Sequence, residues 1–254
     1  MDRIDDIEGV ILRNRSVLPG YLLATIRLSR PMAGTRPGQF IMLKVPSAEV
    51  FLRRPFSVYD CGKSVLSILY RVAGIGTSAL AAAGRGEKVM VLGPLGNGFT
   101  PLPGHAPVLV AGGIGIAGIH LLWTKVKKRS TLFWGCTTSS ETALLRKIIP
   151  HGPHISTMDG TLGCTGNVVD LLGQHISGMK RPLQVFACGP EAMFRALRDL
   201  LSPERIPCQV LVEERMACGL GICFGCVRRT LDEAEPYKRV CKEGPVFDLW
   251  QISL

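Results

Sequence analysis

The stretch "APVLVAGGIGIAGIHLLW", residues 106–123, decides the fold of this 254-residue chain. An apolar run leads into a group of glycines, and a helical pattern of apolar residues follows. Its eighteen mostly apolar residues could also span a membrane. Pro107 at the start, the glycines in the middle and His120 near the end argue against that alternative. We therefore predict a strand, a glycine turn and a buried helix, with the spacing G-G-x-G-x-x-G close to that of a dinucleotide-binding turn.

The residues around this stretch alternate between strand and helix patterns up to about residue 214. Strand candidates include "STLFWGC", "HISTMDG", "PLQVFACG" and "CQVLVEE", and helix candidates include "ETALLRKII", "GNVVDLLGQHI" and "PEAMFRALRDLL". Such alternation predicts a parallel sheet covered by helices on both faces.

The N-terminal part of the chain has a different pattern of apolar residues and turns. The apolar runs "YLLATIRL", "QFIMLKV", "SVLSILYRV" and "EKVMVLGPL" are separated by the turn sequences "MAGTRPG", "DCGK" and "AGRG". We predict a small antiparallel β-barrel with one short helix, residues 77–84, that ends at Gly84 as its C-cap. Together with the cysteine-rich tail this divides the chain into a β-barrel domain (1–102), an α/β parallel-sheet domain (103–214) and a small C-terminal module (215–254).

Composition limits the classes of function. Hydrophobic residues make up 46% of the chain and charged residues 20%, which is typical of a globular protein. Nine cysteines and an N-terminus without a signal-peptide pattern predict reduced thiols, metal ligation and a cytoplasmic location. The net charge of +10 allows an acidic partner protein. It favours nucleic acid less, because the one dense basic cluster, "KVKKR" (125–129), matches the C-terminal end of a helix.

Four cysteines of the tail carry the strongest chemical signal. Cys218, Cys223, Cys226 and Cys241 have the spacing C-x4-C-x2-C-x14-C, and the first three match the loop of plant-type [2Fe–2S] proteins. Glycines between them allow a tight turn that aims backbone N–H groups at the sulfurs. The basic residues Arg215, Arg228 and Arg229 would favour an anionic cluster. A zinc site with four cysteine ligands is the alternative, but such sites usually pair two C-x2-C units and only one is present.

A second string, "LRRPFSVYD" (52–60), is typical of a flavin site when "LYRVAGIGT" (69–77) follows it. Arg54 would pair with a diphosphate, Phe56 would lie against the ring system and Ser57 would hydrogen-bond near the flavin N5. Gly74, Gly76 and Thr77 fall at the predicted helix start, where open N–H groups suit a pyrophosphate. Taken alone, the first string also fits an exposed arginine pair beside a core phenylalanine.

Two further strings would form a binding site for a nicotinamide nucleotide. The glycines of residues 110–118 permit close approach of a phosphate to the backbone. Cys188, Gly189 and Pro190 end another predicted strand, where Cys188 could face a nicotinamide ring or could simply be a small buried residue. The segment 159–170 could line the same pocket, or could be only a loop and a helix N-cap.

In this order the strings resemble one family. "RPFS", "LYRVAGIGT", "GGIGIAG", "CGP" and the C-terminal cysteines with "GPVF" resemble the electron-transfer subunits of type B dihydroorotate dehydrogenases, within the ferredoxin–NADP reductase superfamily. The resemblance covers nearly the whole chain apart from the tail "DLWQISL". It implies an FAD-binding barrel, an NAD-binding α/β domain and a [2Fe–2S] module. It also implies a partner, an FMN-containing catalytic subunit that oxidises dihydroorotate in pyrimidine biosynthesis, in a heterotetramer of two plus two subunits.

The resemblance assigns residues to cofactors, with no catalytic acid or base in this chain. Electrons would pass from the partner's FMN through the cluster to FAD and on to NAD+. The implied FAD contacts are Arg54, Pro55, Phe56, Ser57, Leu69, Tyr70, Arg71, Gly76 and Thr77. The implied NAD contacts are Gly112, Gly113, Gly115, Cys188, Gly189 and Pro190, and the cluster ligands are Cys218, Cys223, Cys226 and Cys241.

Three questions stay open at the level of sequence. The loop "GCTTSSE" lacks the arginine that would favour NADP, so NAD is expected, although Arg146 and Lys147 are close in sequence. A reductase subunit of another complex, such as an anaerobic sulfite reductase, a hydrogenase or an NADH–ferredoxin transhydrogenase, would share these motifs. A non-catalytic, zinc-bound interaction module is the rival from a different class.

Overall fold

Two seven-stranded sheets form the framework of the protein. The computed structural model describes residues 4–47, 49–145 and 152–254. Among these residues no helix is long and apolar enough to cross a membrane.

The first sheet is an antiparallel half-barrel with the strand order β4-β3-β7-β1-β2-β6-β5. Its strands are β1 (Asp5–Leu18), β2 (Tyr21–Leu28), β3 (Phe40–Lys44), β4 (Arg54–Ser57), β5 (Asp60–Gly62), β6 (Val65–Arg71) and β7 (Lys88–Leu95). β1 is long enough to pair with both β2 and β7, and its register against β2 shifts between Ile11 and Arg13 and between Ser16 and Leu18. Such irregularities increase the twist that curls a sheet into a barrel. The predicted antiparallel barrel is confirmed.

The second sheet has the order β11-β10-β9-β8-β12-β13-β16. Its strands are β8 (Ala106–Gly112), β9 (Thr131–Cys136), β10 (His154–Thr157), β11 (Cys164–Thr165), β12 (Leu183–Cys188), β13 (Cys208–Leu211) and β16 (Val246–Asp248). All neighbours are parallel except β16, which pairs antiparallel with β13. Every residue of β12 is buried, as expected of a strand covered on both faces. A separate pair, β14 (Val227–Arg229) and β15 (Tyr237–Arg239), lies in the tail.

Within the described residues five α-helices accompany the sheets: α1 (Ile75–Ala82), α2 (Ile116–Val126), α3 (Ser139–Leu145), α4 (Val168–Ile176) and α5 (Glu191–Leu201). α2 packs into a core that also contains Val17, Tyr59 and Leu69 of the barrel. α4 and α5 contribute to a second core on the other side of the sheet, and that core includes Cys226 and Cys241. A third core fills the barrel. The barrel and the α/β sheet therefore share a continuous apolar interface.

The structure corrects the sequence prediction at several points. The short helix ends at Ala82 with Ala83 as its C-cap, not at Gly84, because the backbone of Ala83 is already extended. The Gly84 N–H is bonded to the Glu87 carboxylate at 2.7 Å. Residues 60–62, predicted as a turn, form β5. The "RPFS" string forms the whole of the strand β4. Residues 146–149 of the helix predicted over 141–149 lie outside the described residues.

The predicted C-terminal module (215–254) packs closely against the α/β domain. β16 extends the α/β sheet, and the tail after it inserts Leu249 and Ile252, both fully buried, into the core beneath α5. Arg198 of α5 donates hydrogen bonds to the carbonyl oxygens of both residues, at 2.8 Å to Leu249. The tail "DLWQISL" thus completes the second domain.

Candidate functional site

A cavity of 590 Å³ opens at the carboxyl ends of β8, β9 and β12. This is the edge at which parallel α/β sheets bind nucleotides. All six residues predicted to contact NAD line it: Gly112, Gly113, Gly115, Cys188, Gly189 and Pro190. Residues 166–169, from the segment that sequence left open, line it too, and Asn167 caps α4 with bonds from the N–H groups of Val169 and Asp170 at 2.8 and 3.0 Å. That segment is therefore both a cavity wall and a helix N-cap.

The glycines of the turn after β8 are required by close packing. A Cβ at Gly115 would collide with the carbonyl oxygen of Cys188, and one at Gly112 would lie 2.8 Å from Pro190 Cδ. Gly113 has a φ of +50°, and a Cβ there would meet open space on the cavity side. The turn therefore leaves free backbone surface at the cavity, which is what a bound pyrophosphate needs.

Cys188 ends β12 with a buried side chain that nevertheless borders the cavity. Burial, and next the charge of Glu213, raise the pKa of its thiol well above the ordinary value. The side chain thus stays a neutral thiol, so it can contact a nicotinamide but cannot act as a thiolate nucleophile.

A second cavity, of 290 Å³, lies between the barrel and the end of β13. Seven of the nine predicted FAD residues line it: Pro55, Phe56, Ser57, Leu69, Tyr70, Arg71 and Thr77. Antiparallel pairing of β3 with β4 places Phe40 opposite Ser57, and both residues line this cavity. Phe56 is largely buried and meets Tyr70 edge to face, with ring centroids 5.6 Å apart.

The other two predicted FAD residues, Arg54 and Gly76, meet beside this cavity. A Cβ at Gly76 would lie 2.5 Å from Arg54 Nε, so the glycine makes room for the arginine at the start of α1. Arg54 Nη1 also donates to the Leu52 carbonyl at 2.6 Å. The Gly74 N–H, expected to be open, instead donates to Thr77 Oγ1 at 3.1 Å. The guanidinium is thus held where α1 begins, within reach of an anion at that helix end.

The four cysteines of the tail form two pairs. The side chain of Cys218 lies within hydrogen-bonding reach of Cys223, and that of Cys241 within reach of Cys226. Among the described residues, no group of three or more cysteine, histidine or acidic side chains surrounds a single point as one metal ion would require. A [2Fe–2S] cluster instead contains two irons with two protein ligands on each. The paired arrangement fits such a cluster better than a tetrahedral zinc site.

Backbone N–H groups point at all four sulfurs. Leu220, Gly221, Gly225 and Cys241 donate to the sulfurs of Cys218, Cys241, Cys223 and Cys226 at 3.3, 3.1, 3.4 and 3.4 Å, respectively.

These N–H groups influence the thiol pKa values. Burial opposes ionisation of Cys218, but hydrogen bonds from the Cys223 and Leu220 N–H groups outweigh it and lower its pKa to about 6. Burial, together with the neighbouring Cys226, raises the pKa of Cys241. Iron binding would overcome that cost, since a coordinated cysteine is a thiolate. The donor set therefore fits an anionic iron–sulfur cluster.

One of the three arginines predicted to favour the cluster, Arg228, is already paired with acidic side chains. Arg228 is neutralised by Glu214, at 2.8 Å, and by Glu191 of α5, so it ties the tail to the α/β domain. Arg239, which sequence analysis did not select, donates to the Gly221 carbonyl at 2.8 Å and braces the cluster loop.

The cluster loop reaches the second cavity. Met216, two residues before Cys218, lines that cavity. A Cβ at Gly219 would lie 2.5 Å from Met42 Cγ of β3, so the loop rests directly on the barrel. The cluster site thus adjoins the predicted flavin site.

Three acidic residues that sequence reasoning missed also line the cavities: Glu141, Glu213 and, in the smaller cavity alone, Glu214. Glu141 lies in the wall of the larger one, and its carboxylate accepts the Thr137 N–H at 3.0 Å. Its place just after β9 could have revealed it, because an acid following the second strand of such a fold often binds a ribose hydroxyl. Glu213 lines both cavities, and no motif marks it in the sequence.

Comparison with known proteins gives a consistent result. A family model described as the iron–sulfur cluster binding domain of dihydroorotate dehydrogenase B matches residues 213–253. A relative from Caldanaerobacter subterraneus is 38% identical, with 83% of this chain and 84% of the relative covered. One from Enterococcus faecalis is 36% identical over 87% and 88% of the two chains. Both are named electron transfer subunit of dihydroorotate dehydrogenase B (NAD(+)).

Solved structures support the fold alone, because sequence identities are low. A structure of an NADH-dependent reduced ferredoxin–NADP oxidoreductase matches with a TM-score of 0.82, at 23% identity, over 96% of this chain and 89% of that chain. A ferredoxin–NADP+ reductase from Neisseria gonorrhoeae, with bound FAD and NADP, matches with a TM-score of 0.64, at 19% identity, over 77% and 90%.

The ordered motifs, the paired thiols beside two adjoining cavities and these relatives agree. The chain belongs to the family of electron-transfer subunits of NAD-dependent dihydroorotate dehydrogenase B.

Proposed function

We propose that this chain passes electrons from a catalytic partner subunit, through a [2Fe–2S] cluster and FAD, to NAD+. The observation that carries the proposal is the adjacency of three sites. The cysteine loop packs on the barrel, and Met216 lines the 290 Å³ cavity, the predicted flavin cavity. This cavity shares the lining residues Arg71, Ile114 and Glu213 with the 590 Å³ cavity, the predicted nucleotide cavity. The cofactors supply the change from one-electron to two-electron transfer when they are bound.

The residues of this chain bind and orient those cofactors. Cys218 and Cys223 would hold one iron, and Cys226 and Cys241 the other. Ser57, Arg71 and Thr77 supply polar groups to the flavin cavity. Arg54 lies at the start of α1, where it would bind the diphosphate. The glycine turn at 112–115 and residues 188–190 would receive the nucleotide, with Cys188 beside the nicotinamide.

The partner would be an FMN-containing subunit that oxidises dihydroorotate, in a heterotetramer of two plus two chains. The surface near the cluster supports a protein contact there. Cys223 is exposed, and the apolar side chains flanking it, Ile222 and Phe224, are 74% and 62% exposed. Exposed apolar groups at a redox centre are typical of a surface that another protein covers. The nine cysteines support a location in a reducing compartment, the cytoplasm.

Co-purification with native partners tests this proposal. The expected product is a coloured complex that contains flavin and iron and reduces NAD+ when dihydroorotate is supplied. A complex that accepts other electron donors but never dihydroorotate would contradict the substrate assignment. A colourless, zinc-containing protein would contradict the assignment of FAD and of the [2Fe–2S] cluster as well.

A further inference from the structure

One arginine side chain contacts the cluster loop, residues 218–226, on both sides of Cys223. Arg239 Nη1 donates a hydrogen bond to the Gly221 carbonyl oxygen at 2.8 Å. The guanidinium carbon of Arg239 lies 5.0 Å from the centroid of the Phe224 ring, within range of a cation–π interaction. Gly221 precedes Cys223 by two residues and Phe224 follows it directly. Arg239 therefore connects both halves of the loop to β15, the strand that leads to Cys241.

The backbone of the cluster loop has a conformation that needs support. Phe224 has a φ of +57°, in the left-handed region that residues other than glycine rarely adopt. Such a conformation persists only where surrounding contacts hold it. The Phe224 side chain is 62% exposed and gains little from the protein core, so its contact with Arg239 matters more. Gly221, with a φ of +78°, donates its N–H to the Cys241 sulfur at 3.1 Å, so Arg239 also holds a residue that contacts the fourth cysteine.

Glu243 fixes the guanidinium in this position. Its carboxylate accepts hydrogen bonds from Arg239 Nε at 3.1 Å, from Nη2, and from the Arg239 backbone N–H at 2.7 Å. Paired bonds of this kind fix the orientation of an arginine as well as its position. The Arg239 carbonyl oxygen in turn accepts the N–H groups of Lys242 and Glu243, at 3.0 and 2.9 Å. The ion pair thus closes the turn that contains Cys241 and leaves Nη1 for Gly221.

The charges of this ion pair also act on the sulfurs. An arginine side chain is always protonated in a protein. Pairing with Glu243 raises the pKa of the Arg239 guanidinium, and the neighbouring Cys241 and Cys226 raise it further, because their sulfurs interact with this charge. Reduction gives an iron–sulfur cluster one more negative charge, and charge is among the factors that set its reduction potential. The positive charge of Arg239 therefore favours the reduced cluster, and the negative charge of Glu243 disfavours it.

We propose that Arg239 holds the cluster loop in its iron-binding shape and raises the reduction potential of the cluster. Arg239 is a positioning residue in this role, because it acts through Gly221 and Phe224 and through its charge. In the step concerned the cluster gains one electron from the partner subunit, and no proton or covalent bond moves. A higher potential makes the cluster a better acceptor of that electron. This inference rests on the proposed function for the cluster ligands, but it does not depend on which substrate the partner oxidises.

The test measures the redox equilibrium of the cluster in the purified holoenzyme. Samples are poised at set potentials with dithionite and mediator dyes, and electron paramagnetic resonance measures the reduced cluster. Arg239→Gln removes the positive charge and leaves the Glu243 carboxylate unpaired. We therefore expect the ratio of reduced to oxidised cluster at a fixed potential to fall roughly tenfold, which is about 59 mV for a one-electron couple. Glu243→Gln removes the negative charge instead, so the ratio should rise.

Two further variants serve as controls. Arg239→Lys keeps the positive charge and should shift the ratio much less than Arg239→Gln does. Lys238→Gln removes a positive charge from the adjacent position of β15, whose side chain pairs with Glu235 at 3.4 Å. Successive side chains of a strand point to opposite faces, so this variant should keep the wild-type ratio. Iron should pass to a chelator roughly tenfold faster from Arg239→Gln than from Lys238→Gln, because the cluster loop loses its support.

The opposite signs separate the effect of charge from a structural effect. Arg239→Gln and Glu243→Gln break the same contact, so shifts in the same direction, or no shift in either, would overturn the electrostatic role. Equal rates of iron loss from Arg239→Gln and Lys238→Gln would overturn the positioning role. If Arg239→Gln assembles no cluster while Arg239→Lys does, the positioning role is supported and Glu243→Gln decides the electrostatic role. Flavin content equal to wild type excludes a general folding defect, and wild-type protein without an iron–sulfur signal would instead overturn the proposed function.

Discussion

At the scale of single residues, Glu141 is predicted to select NAD over NADP. A carboxylate in the nucleotide cavity can accept a ribose hydroxyl but repels a 2′-phosphate. Glu141→Gln removes the repulsion, so we expect the ratio of the NADPH to the NADH dissociation constant to fall roughly tenfold, the size of one charged hydrogen bond. Titrations of both nucleotides measure it. Glu141→Asp keeps the charge and should keep the preference, and an unchanged ratio in Glu141→Gln would show that another residue decides it. Arg146 and Lys147 lie outside the described residues.

The cysteines allow a second prediction at this scale. Cys223→Ala removes one thiolate of the Cys218–Cys223 pair, so we expect loss of iron and of the visible iron–sulfur absorbance while flavin is retained. Cys164→Ala is the matched control, because Cys164 is also exposed but lies on β11 away from the motif. Iron analysis and absorption spectra compare the two variants. Full iron content in Cys223→Ala would exclude Cys223 as a ligand.

At the scale of secondary-structure elements, the turn between β8 and α2 is predicted to tolerate no side chain at Gly115. Gly115→Ala would push the start of α2 against the Cys188 carbonyl at the end of β12, and overpacking of this kind costs about 1–3 kcal/mol. The melting temperature should drop by about 2–4 °C for each kcal/mol lost. Gly62→Ala, on β5 with no atom within 4 Å of the added Cβ, is the control and should melt as the wild type does. Equal melting of the two variants would contradict the packing argument.

At the scale of the whole molecule, the C-terminal tail is predicted to stabilise the α/β domain. Leu249 is fully buried in the core with α4 and α5, so Leu249→Ala should cost about 2–5 kcal/mol in the free energy of unfolding. Urea denaturation of the protein without cofactors measures this cost. Leu231→Ala changes a leucine that is 57% exposed and should cost much less. Similar midpoints for both variants would mean that the tail is dispensable to the core.

The sequence predicted elements well where periodicity was strong. β2 was found at its observed bounds, and α5 to within one residue. β1 was missed because charged residues interrupt its alternation of buried Ile7, Gly9 and Ile11, and its two register shifts break the period further. β5 was read as a turn because three residues with Asp and Gly resemble one, and only pairing with β6 makes them a strand.

For the candidate site, the residues with a local signature were predicted and those without one were not. By itself the sequence determined the barrel, the α/β sheet and the glycine turn after β8, and it predicted the four cysteines as cluster ligands. These follow from spacing along the chain, which fixes local backbone geometry. Only the tertiary structure decided that β16 joins the second sheet, that Arg228 pairs with acids instead of facing the cluster, and that Arg71, Ile114 and Glu213 meet between two cavities. Those contacts join segments that lie up to 142 residues apart in the sequence, from Arg71 to Glu213. A local sequence pattern cannot predict such contacts, because only tertiary packing brings the segments together.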